Sequence, residues 1–156
     1  SRISHPKERF SVGMDIKVLV KYFEGTRVHL THKELLGTWE ENASLFSVGE
    51  TVGGIVRSVE DYGIFVELTP NLAGLAEPKE DVEVGSEASV YIKNIVPDKM
   101  KIKLVIIDTF SRTQDFKEVK YFYEGSHIEN FRYSPEGCQK LVETDFKAFQ
   151  SIYSAT

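Results

Sequence analysis

The chain has 156 residues and a formal net charge of −5, with 41% hydrophobic and 28% charged residues. This length suits one ordinary domain or two small ones, and the composition is typical of a water-soluble globular protein. No apolar run approaches the ~20 residues of a membrane-spanning helix, and a single cysteine, Cys138, excludes an internal disulfide framework, so we expect a cytoplasmic protein without membrane contact.

The first predicted element is a β-hairpin in residues 13–30. Apolar residues alternate with polar ones on both sides of a Glu24-Gly25 turn, a period typical of strands. Thr31-His-Lys-Glu34 has the spacing of a helix capping box. We therefore predict that a helix begins there and continues to Leu45, with a break at Gly37.

The middle of the chain, residues 47–108, is predicted to form a five-stranded domain. Its predicted strands span 46–59, 62–68, 72–76, 90–96 and 100–107. Gly53-Gly54 inside the first strand predicts the sharp bend or bulge that a small barrel needs. Five short strands within ~60 residues favour a closed Greek-key barrel of the OB type. We therefore predict a mainly β protein with some α-helix.

The C-terminal residues 109–156 are predicted to repeat the N-terminal arrangement. Val119-Lys-Tyr-Phe-Tyr-Glu-Gly125 repeats Val20-Lys-Tyr-Phe-Glu-Gly25 with one insertion. An alternating strand follows at 127–133, and Ser134-Pro135 is typical of a helix start. The apolar side chains on one face of this predicted helix are Cys138, Leu141, Val142, Phe146 and Phe149. Because a lone hairpin is not stable in water, we expect residues 1–46 and 109–156 to pack together as one α+β unit, with the barrel inserted between them.

Two motifs in the barrel segment indicate binding of nucleic acid. The predicted second strand places Tyr62 and Phe65 beside a glycine bend, and the last strand alternates lysines with aliphatic residues. Aromatic platforms beside a lysine row suit single-stranded nucleic acid. The candidate RNA-binding residues are Tyr62, Phe65, Tyr91, Lys93, Lys99, Lys101, Lys103 and, more weakly, Arg57. The alternative is structural, since strands favour aromatics and lysines protect sheet edges.

The barrel segment also resembles the RNA-binding domain of ribosomal protein S-one. The resemblance covers residues 47–107 in four blocks: Gly49-Glu-Thr-Val-Gly-Gly-Ile-Val56, Asp61-Tyr-Gly-Ile-Phe-Val-Glu-Leu68, Gly74-Leu-Ala-Glu77 and Val84-Gly-Ser-Glu-Ala-Ser-Val-Tyr-Ile92. It implies a bacterial S-one-like protein in which Tyr62 and Phe65 stack on bases and Lys101 contacts the RNA backbone. Residues 13–30 resemble the last two strands of a preceding S-one domain, with Arg27 in the backbone-contacting position, which would make residues 1–46 the C-terminal half of such a domain plus a linker helix.

This chain departs from the family pattern at three places. Glu77 stands where the family usually has a ligand-facing histidine, and Pro97 where many members have an aspartate. Where the last strand of the family usually ends in Leu-Ser, this chain has Leu104-Val105.

Two functions remain open from the sequence. The first is a non-enzymatic protein of translation that binds single-stranded RNA (mRNA or rRNA), with the ribosome as a further candidate partner. The second is an acidic OB-type module that docks onto the ribosome or another protein, because residues 47–108 hold 6 basic and 11 acidic side chains and so carry the whole net charge. The histidines show no metal-ligand spacing with Cys138 and no Gly-rich phosphate loop precedes a helix, so we expect no catalytic site, metal or cofactor.

Overall fold

The computed structural model describes residues 3–111 and 119–148. The strands in these ranges are β1 (Leu19–Glu24), β2 (Arg27–Thr31), β3 (Thr51–Glu60), β4 (Gly63–Thr69), β5 (Leu72–Ala76), β6 (Glu87–Val96), β7 (Lys101–Phe110), β8 (Asn130–Arg132) and β9 (Glu143–Asp145). The α-helix α1 covers Trp39–Ala43, and short 3-10 helices lie at Pro6–Glu8, Lys33–Leu36 and Pro97–Lys99.

The strands β3 to β7 form a closed barrel in the order β3-β4-β5-β7-β6. This confirms the predicted mainly β fold and its five-stranded barrel of the OB type. Neighbouring strands are antiparallel except β5 and β7, which are parallel. Side chains alternate between a filled interior and the outer face. The interior holds the aliphatic residues Val56, Ile64, Val66, Leu72, Val90, Ile92, Ile102 and Leu104.

The two adjacent glycines of β3 have different surroundings. A Cβ atom on Gly54 would lie 2.5 Å from Val66 Cγ1 and 2.8 Å from the backbone oxygen of Glu67. A Cβ atom on Gly53 would meet its nearest neighbour at 3.9 Å. Gly54 therefore allows β4 to approach β3 closely. The predicted bulge lies further along the strand, because the register with β4 shifts between Val56 and Ser58.

The N-terminal hairpin is present as β1 and β2, but the helix begins later than predicted. Thr31 does not cap a helix: its hydroxyl donates a hydrogen bond to Glu34 Oε2 (2.7 Å), and residues 33–36 form a 3-10 turn. After the break at Gly37, α1 begins behind Thr38. The hydroxyl of Thr38 accepts a hydrogen bond from Glu41 N, while Thr38 N donates to Glu41 Oε1. The capping box is thus formed by Thr38 and Glu41 and not by Thr31 and Glu34.

The hairpin β1–β2 has the same pairing pattern as the barrel hairpin β6–β7. Each contains a bulge at a lysine, Lys21 or Lys93, and the residue pairs on either side of the bulge correspond one to one. Four apolar positions that are buried or half-buried in the barrel hairpin correspond to exposed positions in β1–β2. The exposed residues Val20, Phe23, Val28 and Leu30 correspond to Ile92, Ile95, Ile102 and Leu104.

Within the described residues the C-terminal segment agrees with the prediction only in part: β8 lies inside the strand predicted for residues 127–133, whereas the first strand and the start of the helix are not found. Residues 119–125 contain no strand, and β8 pairs instead with β9, inside the predicted helix. Tyr133 N donates a hydrogen bond to Val142 O (2.8 Å), so backbone pairing between distant residues replaces helical hydrogen bonds there. The predicted apolar face is also absent, because Phe146 is 4% exposed and Leu141 is 59% exposed. Phe149 and the rest of the predicted helix lie outside the described residues.

The two flanks touch each other at several points. Phe122 N donates to Leu35 O (2.9 Å) and Trp39 N to Tyr133 O (3.0 Å). The hydroxyl of Thr144 donates to Glu34 Oε1 (3.1 Å). These contacts join parts of the two flanks, and the expectation that residues 1–46 and 109–156 form one α+β unit stays a prediction. Trp39 is also part of the barrel's apolar core.

Candidate nucleic-acid interface

The candidate site lies on the outer face of three neighbouring strands. Phe65 of β4 pairs with Leu75 of β5, and Leu75 pairs with Lys103 of β7. Because paired residues project to the same face of a sheet, an aromatic ring, an aliphatic side chain and an ammonium group lie in one row. The register therefore brings the predicted aromatic and lysine motifs together.

Tyr62 extends this row beyond the beginning of β4. Its side chain is 65% exposed, and its ring lies edge-to-face against Phe65 with the centroids 6.2 Å apart. Phe65 is half-buried. Gly63, the first residue of β4, cannot be replaced easily, because a Cβ at this position would lie 2.6 Å from Ala76 O and its φ is +157°. The tight approach of β5 at this glycine fixes where the two rings stand.

Lys93 and Glu77 form an ion pair on the same side of the barrel. Glu77 follows β5, and its backbone N–H donates to Leu104 O of β7 (3.1 Å). Lys93 Nζ, from the bulge in β6, lies 2.7 Å from Glu77 Oε1, and the two side chains are 56% and 58% exposed. The hydrogen bond to the Glu77 carboxylate, together with its charge, raises the pKa of Lys93. The ammonium of Lys93 thus already has an anionic partner.

The remaining lysines do not form one row. Lys101 and Lys103 are exposed and alternate with buried Ile102 and Leu104, as the sequence predicts. Lys99 belongs to the 3-10 helix that follows β6, and Met100, with φ of +49°, separates it from β7. Lys99 is exposed like Lys101 and Lys103, but it does not belong to the same strand. Tyr91, in β6, is 39% exposed and pairs with Val105.

Arg57, which the sequence places among the candidate RNA-binding residues, is largely buried. Its Nε donates to Glu67 Oε2 at 2.5 Å and its Nη1 to Glu8 Oε2 at 3.3 Å, and its side chain is 10% exposed. Arg9 Nη2 lies 3.1 Å from the other oxygen of Glu67. The two carboxylates and two guanidinium groups neutralise one another beneath the N-terminal segment. Arg57 therefore holds that segment against the barrel.

Sequence reasoning missed both ion-pair clusters. Glu8 and Arg9 lie 49 and 48 residues before Arg57 in the chain, and no local pattern relates residues so far apart. The departure of Glu77 from the S-one pattern was visible, but its pairing with Lys93 depends on the bulge in β6 and on the parallel contact between β5 and β7.

Other kinds of site find no support in residues 3–111 and 119–148. Within these ranges no group of three or more His, Cys, Asp or Glu side chains could hold a metal ion. No helix there is long and apolar enough to cross a membrane.

Comparison with known proteins finds relatives in the ribosome. The chain is 30% identical over 149 residues to small ribosomal subunit protein bS1 of Staphylococcus aureus, covering 83% of this chain and 38% of that protein. It is 28% identical over 123 residues to bS1 of Rhizobium meliloti, covering 69% of this chain and 22% of that protein. The chain thus spans a minor part of the length of these relatives. No family model matches the chain.

Two solved structures are similar to part of the chain. An uncharacterized protein from Methanocaldococcus jannaschii is 29% identical with a TM-score of 0.38, and the match covers 40% of this chain and 93% of that one. GSP13 from Bacillus subtilis is 30% identical with a TM-score of 0.36, covering 39% of this chain and 55% of that one. The sequence matches and the closed five-stranded barrel together show that this chain is homologous to ribosomal protein bS1 and carries an OB barrel of the S-one type.

Proposed function

We propose that the barrel binds single-stranded RNA in translation by stacking bases on Tyr62 and Phe65. The observation that carries this proposal is the row formed by Phe65, Leu75 and Lys103, with the exposed ring of Tyr62 beside it. Stacking on such a side chain is worth ~1–3 kcal/mol per base and tolerates any base. We therefore infer low sequence selectivity, with mRNA or rRNA as the substrate class.

Lysines supply the phosphate contacts in this proposal. Lys103 lies in the aromatic row, and Lys101 lies two residues before it on the same face of β7. Lys99 and Tyr91 would contact RNA further along, while Arg57 has a structural part only, since its ion pairs occupy it. Because residues 47–108 carry a net negative charge, stacking must supply most of the affinity.

The relatives support a place in translation. They are proteins of the small ribosomal subunit by name, so we propose the ribosome as a further partner. The shared register of β1–β2 and β6–β7 supports the proposal that residues 1–46 contain the last two strands of a preceding S-one-like domain. In that arrangement the exposed apolar face of β1–β2 would belong to a second barrel core.

A titration of labelled, unstructured RNA at two salt concentrations tests the proposed function. The native chain should bind more weakly at the higher salt, because phosphate contacts release counterions. Tyr62→Ala/Phe65→Ala should weaken binding at both. Phe23→Ala is the control, because Phe23 is an exposed aromatic residue (60%) outside the barrel.

The same titration separates the proposal from its alternative. Absence of RNA binding at low salt would refute it and would favour an acidic OB-type module that docks onto the ribosome or another protein. Equal losses from the barrel double substitution and from Phe23→Ala would show that stacking on the proposed rings does not carry the affinity.

A further inference from the structure

We propose that Glu77 is an intramolecular competitor of RNA phosphate at Lys93, and that it limits the affinity of the barrel. This inference rests on the proposed function and deepens it, because it makes Glu77, which contacts Lys93 of the same site, a residue that sets the affinity for RNA. Glu77 Oε1 and Lys93 Nζ are 2.7 Å apart, the distance of a charge-assisted hydrogen bond.

Glu77 stands on the path between the aromatic rings and Lys93. Its backbone N–H bonds to Leu104 O of β7, which continues the parallel pairing of β5 with β7 by one residue. Gly63, next to Tyr62, lies close to this end of β5, where a Cβ would stand 2.6 Å from Ala76 O. Lys93 reaches Glu77 from the far side of β7. In this proposal a strand of RNA that is stacked on Tyr62 and Phe65 and runs toward Lys93 passes the Glu77 carboxylate.

The pair is accessible, so RNA can displace it. Both side chains are more than half exposed, and exposed ion pairs are weak and screened by salt. A phosphate that binds Lys93 must first replace the carboxylate, and the carboxylate freed by that exchange remains close to the phosphate. Lys93 therefore adds little to the affinity of the native chain, although its ammonium is held fully charged.

Competition also changes how binding responds to salt. Each lysine that neutralises a phosphate of a single strand steepens the dependence of log affinity on log salt by about 0.7. A lysine that exchanges one anion for another releases fewer counterions, so it contributes less to this slope. The native chain should consequently show a flatter salt response than its exposed lysines suggest.

Glu77→Gln tests this inference, because the amide keeps the size of the side chain and removes its charge. We expect RNA affinity to rise about fivefold near 0.1 M salt and the salt slope to steepen by about 0.7. Lys93→Gln should change affinity less than twofold in the native chain and should abolish the gain in the Glu77→Gln chain. Glu80→Gln is the matched control, since it makes the same charge change at an exposed position three residues away.

The outcomes distinguish this inference from the proposed function. If the native chain binds RNA and Glu77→Gln binds it equally well, the inference is overturned and the proposed function stands. Equal gains from Glu77→Gln and Glu80→Gln would also overturn it, because general repulsion would then explain both. If neither the native chain nor Glu77→Gln binds RNA at low salt, both proposals fail. A gain confined to Glu77→Gln and lost with Lys93→Gln supports the competition.

Discussion

Replacing Gly54 by alanine is expected to lower the free energy of unfolding by about 2 kcal/mol, at the middle of the range for overpacked cores. The added Cβ would stand 2.5 Å from Val66 Cγ1 and 2.8 Å from the backbone oxygen of Glu67. Carbon atoms in contact normally lie about 3.5–4.0 Å apart, so β3 and β4 must separate by about 1 Å. Val66 has no exposed surface and cannot turn away.

The neighbouring glycine provides a matched control. Alanine at Gly53 meets nothing closer than 3.9 Å, and neither glycine has the left-handed φ that would strain an alanine. Removing a glycine stiffens the unfolded chain and stabilises the fold by about 0.4–1 kcal/mol where the site has room. Gly53→Ala should therefore be neutral or slightly stabilising, although it lies in the same strand.

Urea unfolding followed by tryptophan fluorescence measures both variants. Trp39 is the single tryptophan of the chain; it is 3% exposed and belongs to the barrel core, so its emission reports on barrel unfolding. We expect a lower urea midpoint with an unchanged slope for Gly54→Ala. Equal midpoints for Gly53→Ala and Gly54→Ala would refute the argument that close strand approach requires Gly54.

Three further changes test other parts of the structure by the same urea assay. Burial raises the pKa of Tyr133 to about 12. The free energy of unfolding should therefore fall by up to about 2 kcal/mol between about pH 10 and pH 12, where the unfolded tyrosine ionises and the folded one does not. Tyr133→Phe should remove this part of the pH dependence, and an unchanged dependence of stability on pH would contradict the raised pKa of Tyr133. Glu67→Ala leaves Arg9 and Arg57 buried without its carboxylate and should cost about 3–5 kcal/mol, a prediction that a loss under 1 kcal/mol would refute. Thr38→Ala should cost about 1 kcal/mol by removing the N-cap acceptor, whereas Thr38→Ser should retain most of the stability, and equal losses would exclude capping as the cause.

The barrel could be predicted from the sequence because each of its strands has a pattern that short stretches of sequence reveal. Alternating apolar residues mark each strand of residues 47–108, and turn residues separate the strands. The hairpin turn at Glu24-Gly25 follows the same logic, since Gly25 supplies a positive φ of 59°. The alternation of apolar and polar residues predicts a strand well when one face of that strand is buried and the other is exposed.

The C-terminal segment could not be predicted in this way. The apolar spacing after Ser134 fits a helix, yet Ser134 itself is buried and its hydroxyl accepts a hydrogen bond from Val142 N (3.0 Å). That contact closes a loop and directs the following residues into β9, beside β8. Tertiary pairing of this kind overrides a weak helical preference, and it depends on residues that no short window contains.

In the candidate site, too, the features that depend on local sequence were predicted and those that depend on distant residues were not. The alternation of Lys101 and Lys103 with buried neighbours is local and was predicted, but the place of Lys103 beside Phe65 depends on the parallel register of β5 and β7. The burial of Arg57 depends on Glu8 and Arg9, which arrive from the distant N-terminal segment. Charge type alone gave no means of telling a free arginine from a neutralised one.

The shared register of the hairpins β1–β2 and β6–β7 has a consequence for how the chain folds. The antiparallel meander β3–β5 can assemble from neighbouring segments, but closing the barrel requires a distant hairpin to dock on it, and such non-local steps are slow. Loop length discriminates little between the two hairpins, because closure entropy grows only with the logarithm of length. Because the two hairpins share this register, we expect β1–β2 to compete with β6–β7 for the same meander early in folding, a kind of misassembly known in repeat proteins. β7 pairs with β6 as far as Phe110, so we expect this longer hairpin to bind the meander more stably and refolding to include a slow phase in which β1–β2 dissociates from it.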